Sequence, residues 1–366
     1  MRALRKYEYN PDYAVAPGIT IKETMEEMNI PAKEFASRLS ISENSLHRIF
    51  RGEQPLTFAT ANKLEMVTGI PARFWNNSEA TYREQLAKIE EREAFSSQIE
   101  WLNQIPVKEL EKRGVIEATQ DPVVTFKSIL SFFRVSDVFA WEREWREAVV
   151  NSRRSSCFET NPGVAATWIR LGEIEAGNID CAPYNKQVFV NNLNAIRDLT
   201  VKSPDEFRDE IVRLCAEAGV ALTFIPEIKG APWSGATKWL NPNKAMIILS
   251  LRGKGEDKFW FSFFHEAGHL VLGHSKKDLL INNEKDRTDP RERDADRFAS
   301  DFLIPSAFQT RLMKCRSHED IEALAHELHI APGIVAGQLH HLKGEWRFFN
   351  SLIRRFEWKP ASRNSN

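Results

Sequence analysis

Cysteine is scarce in this chain, and none of it is paired. Cys157, Cys181, Cys215 and Cys315 lie far apart and form no CxxC pair. That spacing argues against a cysteine zinc cage and for reduced, buried thiols in a cytoplasmic protein. Long apolar runs are missing too. Nothing approaches the roughly 18 residues of a membrane span, so no membrane partner is expected. The opening stretch MRALRKYEYNPDY also lacks the apolar centre of a signal peptide. An excess of charge of either sign is likewise absent: 50 Lys and Arg stand against 51 Asp and Glu, a formal net charge of −1. Any nucleic-acid binding must therefore come from a local patch. What the chain has is 366 residues, 42% of them hydrophobic and 28% charged. That is a globular composition with room for two or three domains.

After an N-terminal arm (residues 1–16), residues 17–78 read as a run of short helices. TIKETMEEMN has helical spacing, and Pro31 opens PAKEFASRL. A turn at Ser40 and Ile41 follows, then Ser42 as N-cap of ENSLHRIFRG, which stops at Gly52. Thr57 stands near the cap of TFATANKLEMVTG. Two short helices joined by a tight turn, with small Ala36 at the approach, describe a helix-turn-helix. Its buried positions would be Phe35, Leu39, Ile41, Leu46 and Ile49. Glu43, Asn44, Ser45, His47, Arg48 and Arg51 would face outward, where Asn, Ser and Arg can reach base edges or phosphates in a major groove. An ordinary helical bundle with a solvated face has the same composition, since the acidic ETMEEM and Glu43 keep this region from being visibly basic.

The stretch FASRLSISENSLHRIFRGEQPLTFATANKLEMVTGIPARFW resembles the DNA-binding domain of XRE-type repressors, in particular the HigA branch of toxin–antitoxin antitoxins. The resemblance covers about residues 15–80 and implies an operator-DNA partner, with contacts from Lys33, Ser42, Asn44, Ser45, His47, Arg48 and Arg51. One departure concerns Ala32 and Lys33, which stand where the family usually has a phosphate-anchoring glutamine; Lys33 can take that part. Operator palindromy would favour a homodimer.

Residues 79–180 read as a helical linker and platform. Its first part, to about residue 100, is highly charged and reads as a solvated helix. Its polarity also makes residues 78–110 a conceivable site of self-cleavage. Trp141, Trp145 and Trp168 at helical spacings read as core.

Chemistry enters with residues 181–310. SPDEFRDEIVRLCAEAG is a helix capped by Ser203 and stopped by Gly219, and VALTFIPEI and AMIILSLR are strand candidates. GEDKFWFSFFHEAGHLVLGH is a helix apolar on nearly every face. Its polar groups must therefore be paired or bound to something. His265 and His269 are separated by about 40° around such a helix, so both imidazoles can address one ion. Glu266 lies about 100° from His265, beside the ion, where a carboxylate can move a proton. Chance alone would give an HExxH roughly 0.02 times in a chain of this length. A zinc site of this kind needs a third protein ligand and an open position. PRERDADRFASDFLIP supplies one: Pro290 can start a helix on which Glu292 and Asp296 share a face. Glu292 would bind the metal and Asp296 would hydrogen-bond a ligand histidine, while Asp294 points elsewhere. His274 reads as a helix-end group, and His340 and His341 as structural.

WSGATKWLNPNKAMIILSLR, FWFSFFHEAGHLVLGH and ERDADRFASDFLIP together resemble the ImmA/IrrE metallopeptidase domain over about residues 205–310. The resemblance implies Zn2+ held by His265, His269 and Glu292, with Glu266 as general base. It also likens AMIILS to the sheet-edge strand on which zincins bind an extended substrate. Residues 311–366 form a C-terminal helical segment. In it ALAHELHIAPGIVAGQLHHL echoes the helix-turn-helix, with Ala325, Leu328, Ile330 and Val335 matching Ala36, Leu39, Ile41 and Leu46. Its Ala, Pro and Gly suit packing, not base reading.

The expected fold is mainly α, α+β overall: a helix-turn-helix bundle, a helical linker, a zincin-like domain with a small sheet, and a helical C-terminal segment. The expected function is a DNA-binding regulator whose zinc endopeptidase domain cleaves a repressor or toxin-system partner. The alternative is a HigA-like antitoxin that acts by binding, its peptidase fold serving as a sensor or interaction module.

Overall fold

The computed structural model describes residues 13–151, 161–231, 233–274, 280–281 and 289–358. Cys157, the first twelve residues and residues 359–366 lie outside them. The chain divides into two compact units. One runs through Ile99 and includes Asp121–Phe126; the other comprises Glu100–Gln120 and everything from Lys127 on.

The first unit contains α1 (Pro17–Glu27), α2 (Ala32–Arg38), α3 (Glu43–Phe50), α4 (Phe58–Thr68) and α5 (Ala72–Ser96). The helix starts follow from local chemistry. The Ser42 hydroxyl accepts from the Ser45 N–H, and the Thr57 hydroxyl from the Thr60 N–H, each satisfying a donor that the first turn leaves open. Between α2 and α3 the chain turns at Ser40 (φ 53°), and the Ile41 N–H donates to the Ala36 carbonyl. Phe35, Leu39, Leu46, Ile49 and Trp75 close the core, with Ile41 half-buried against it. Residue 78, taken above as the end of this domain, lies inside α5. That helix runs 25 residues without a break, and only Ala72 and Trp75 in it are buried. Of residues 78–110, the stretch considered above for self-cleavage, the part up to Ser96 is α-helix and Ile99–Gln104 is 3-10 helix.

In the second unit, α6 (Val107–Lys112) precedes α7 (Pro122–Phe133), whose first residues belong to the other unit. Helices α8 (Val138–Trp141) and α9 (Glu147–Asn151) are joined by one π-helical turn over Glu142–Arg146. Then come α10 (Pro162–Gly177), α11 (Lys186–Asp198) and α12 (Pro204–Glu217), followed by β1 (Val220–Phe224), β2 (Gly235–Asn241) and β3 (Lys244–Leu249). The remainder is α13 (Glu256–Leu272), β4 (Leu280–Ile281), α14 (Pro290–Leu303), α15 (Gln309–Lys314), α16 (His318–Leu328) and α17 (Pro332–Lys343). Trp141, Trp145 and Trp168 are all buried, as core residues should be. Cys215 and Cys315 are buried and Cys181 is half-buried.

The sheet order is β1-β3-β2-β4. β3 pairs parallel with β1 and antiparallel with β2. AMIILS is therefore a central strand, and the expectation that it forms the edge is corrected. The reason is in its own composition: a run apolar on both faces suits a strand covered on both. Ile247 and Leu249 join the core that contains α13, while on the opposite face Ile248 meets Gly172 of α10. Both β2 and β3 pack against α13, and β2 is linked to β3 by a tight turn at Asn241–Lys244.

The C-terminal echo is real in backbone terms. His329 repeats the φ of 53° seen at Ser40, and the Ile330 N–H donates to the Ala325 carbonyl as Ile41 does to Ala36. Its second helix is used differently from α3. Gly333, Ile334, Val335, Ala336, Gly337, Leu339 and His340 of α17 are all buried. A Cβ on Gly333 would fall 2.2 Å from a Glu256 carboxylate oxygen on α13, so α17 is a packing helix.

Candidate metal centre

Helix α13 is buried along most of its length, Glu256, Phe259, Trp260 and Ser262 to Val271 included. It ends where Gly273 takes the left-handed conformation. Helix α14 begins at Pro290, with Asp289 capping the Arg291 N–H. The two helices pack closely at Gly268, where an added Cβ would meet the Phe298 ring at 3.0 Å. That approach carries α14's acidic face to the histidines of α13.

His265 Nε2 lies 3.0 Å from His269 Nε2 and 3.1 Å from Glu292 Oε2. Glu292 Oε1 lies 3.3 Å from His269 Nε2. Donor atoms on a tetrahedral zinc with bonds of about 2.0–2.1 Å would stand about 3.3 Å apart. The three side chains thus fit the ion. Asp296 Oδ1 lies 2.8 Å from His265 Nδ1, which fixes the tautomer that turns Nε2 toward the other two donors. His274 stands just beyond the helix end, its Nδ1 3.3 Å from Nδ1 of His269. Asp294 is exposed.

The site's protons reflect this crowding. Burial opposes a charged imidazole at His265, but hydrogen bonds to Asp296 and Glu292, with Glu266 nearby, outweigh it and push the ring up to about 10. Burial pulls His269 below the ordinary histidine range. Glu292 is driven down in spite of its burial, because both imidazoles hydrogen-bond it.

Glu266 is fully buried and faces β2. The Thr237 hydroxyl donates to its Oε2 at 2.5 Å, and Gly235 lies against its Oε1. Sequence reasoning gave no role to either residue, although it singled out the WSGATKW stretch. The one local signal was the Asn-Pro-Asn turn that follows the strand. The low apolar content of GATKWLN hid the strand itself.

Residues 217–340 match a peptidase family described as the IrrE N-terminal-like domain. Residues 21–75 match the helix-turn-helix family. This chain joins a helix-turn-helix domain to an IrrE-like peptidase domain. Its N-terminal part is also similar to the HTH-type transcriptional regulator YddM of Escherichia coli (strain K12), with 34% identity over 61 residues. That similarity covers 17% of this chain, and the chain spans 65% of the relative's length. The IrrE-like domain belongs to a metallopeptidase-type family, and the His265, His269 and Glu292 cluster is its possible metal site.

In the helix-turn-helix domain, Lys33, Ser42, Asn44, His47, Arg48 and Arg51 are exposed, and Ser45 is half-buried. Four of them have internal partners, among them His47, whose Nε2 lies 3.9 Å from Glu43 Oε1. Ser42 caps α3, and the Ser45 hydroxyl donates to Gln54 Oε1 at 3.0 Å. Arg51 forks onto Glu53 through Nε at 2.6 Å and Nη2 at 2.9 Å. Lys33, Asn44 and Arg48 are the remaining exposed groups of the set.

Proposed function

We propose that this protein is a DNA-binding transcriptional regulator whose zinc-dependent endopeptidase domain cleaves a protein partner, a repressor or toxin-system protein. The observation that carries the reading is the donor triangle of His265, His269 and Glu292, with an acidic residue of the same buried helix beside it. In this reading those three residues hold Zn2+, and Glu266 is the general base. Bound zinc would act as a Lewis acid toward a peptide carbonyl and lower the pKa of water. Glu266 would take a proton from the attacking water and pass it to the departing amine. Asp296 would hold His265 in its ligand tautomer. The helix-turn-helix domain would present α3 to an operator, with Lys33, Asn44 and Arg48 as principal contacts and Ser42, Ser45, His47 and Arg51 as secondary ones. Two copies on a palindrome would make the bound form a homodimer. The division into an arm, a DNA-binding domain, a linker, a peptidase domain and a C-terminal packing segment belongs to the same reading.

The test is to mix the wild type and Glu266→Gln with proteins encoded beside this gene, including any co-encoded repressor. Cleavage by the wild type alone supports the proposal. Stoichiometric zinc with no cleavage that depends on Glu266 contradicts it, and leaves a regulator that acts by binding.

A further inference from the structure

We infer that β2 carries a cradle for Glu266, made by Gly235 and Thr237, that fixes the orientation of its carboxylate. The inference rests on the peptidase reading above. Residues two apart on a strand share a face, and the β2–β3 pairing sets Gly235 opposite Leu249 and Thr237 opposite Ile247. Both therefore face α13. An added Cβ at Gly235 would stand 2.6 Å from Glu266 Oε1 and 2.7 Å from its Cγ. No side chain fits there while Glu266 holds its position. Two residues on, the Thr237 hydroxyl lies 2.5 Å from Oε2 and 3.3 Å from the Glu266 carbonyl oxygen. Its one proton goes to the nearer, charged acceptor. Thr237 and Glu266 are both fully buried, so water does not compete for that bond.

The strand is itself held on both sides. β3 pairs with it along its length, and β4 pairs at Ala236 and Thr237. Thr237 is β-branched, which limits its rotamers further. A carboxylate with one oxygen pinned this way and the other packed against Gly235 cannot spin about its terminal bond, so Glu266 is held in one orientation. Gly235 and Thr237 are positioning residues: they act through Glu266 and not on substrate.

The test uses the full chain loaded with zinc and a pool of internally quenched peptides of randomised sequence. Hydrogen bonds to charged groups set the expected scale: Thr237→Val should lower kcat about 10- to 100-fold, with KM changed little. Thr237→Ser keeps the hydroxyl and should recover most of that loss. Gly235→Ala should also lower kcat. All three should bind zinc with wild-type stoichiometry. In the Glu266→Gln background, Thr237→Val should cause no further loss. A double-mutant cycle in thermal unfolding of the metal-free protein should show the same non-additivity. A Thr237→Val enzyme at wild-type kcat overturns the positioning role and leaves the peptidase reading standing. Equal losses with Ser and Val, or additive effects in the cycle, overturn it as well. A zinc-loaded wild type that cleaves no peptide overturns the peptidase reading itself, and the positioning role with it.

Discussion

At the scale of single residues, the metal centre depends on groups that touch no metal. Asp296 holds His265 by a 2.8 Å hydrogen bond, and loss of such a partner typically costs 10- to 100-fold in metal affinity. Asp296→Ala should therefore weaken zinc binding by about that factor in competition with a chelator, with helix content unchanged. An imidazole must be neutral to bind zinc, so a His265 held in its charged form has to lose a proton on zinc binding. His265 is pushed up to about 10, so below that pH zinc uptake should release a proton, and affinity should fall as pH falls. Titration of zinc into weakly buffered protein, followed by pH electrode, checks this. On the DNA side, Arg48→Ala should lower the salt slope of operator binding by about one. Arg51→Ala should lower it less, because Glu53 already neutralises part of that charge.

At the scale of elements, the C-terminal segment reaches back to the start of the catalytic-type helix. Arg354 Nε lies 2.6 Å from Glu256 Oε2, and its N–H donates to Oε1, with Glu256 fully buried. Arg354→Ala would strand a buried carboxylate, a loss on the order of 3 kcal/mol. Burial already holds the Glu256 carboxyl above its ordinary range, with Arg354 opposing. Without the arginine it would rise further, and a raised carboxyl stabilises the fold only while protonated. The variant's deficit in thermal unfolding should therefore be smaller at about pH 4.5 than at neutral pH. The elements also show what could be read in advance. Ser42, Thr57, Ser203 and Pro290 mark helix starts because caps and N-terminal prolines act locally. The grouping of His265, His269 and Glu292 was legible because α13 and α14 each carry their share at helical spacing. Strand order was not: AMIILS reads as a strand, but what lies on either side of it is a matter of distant pairing. The roles of Gly235 and Thr237 were equally hidden, since each acquires one only when β2 meets α13. The α5 helix was half-read, its charge noted and its continuity with the first domain missed.

At the scale of the whole molecule, charge and helix length set limits. A net charge of −1 supplies no field to draw the chain to nucleic acid, so operator affinity should rest on α3 and its surroundings. No helix among the described residues is long and apolar enough to cross a membrane. The central claim is that one chain joins a DNA-binding domain to a working zinc peptidase. The most direct test is zinc content and cleavage measured side by side for the wild type and Glu266→Gln, against the proteins encoded next to this gene. The account predicts one zinc per chain in both proteins, and a cut partner only with the wild type. Equal cleavage by the two proteins, or none by either with zinc in place, would contradict it.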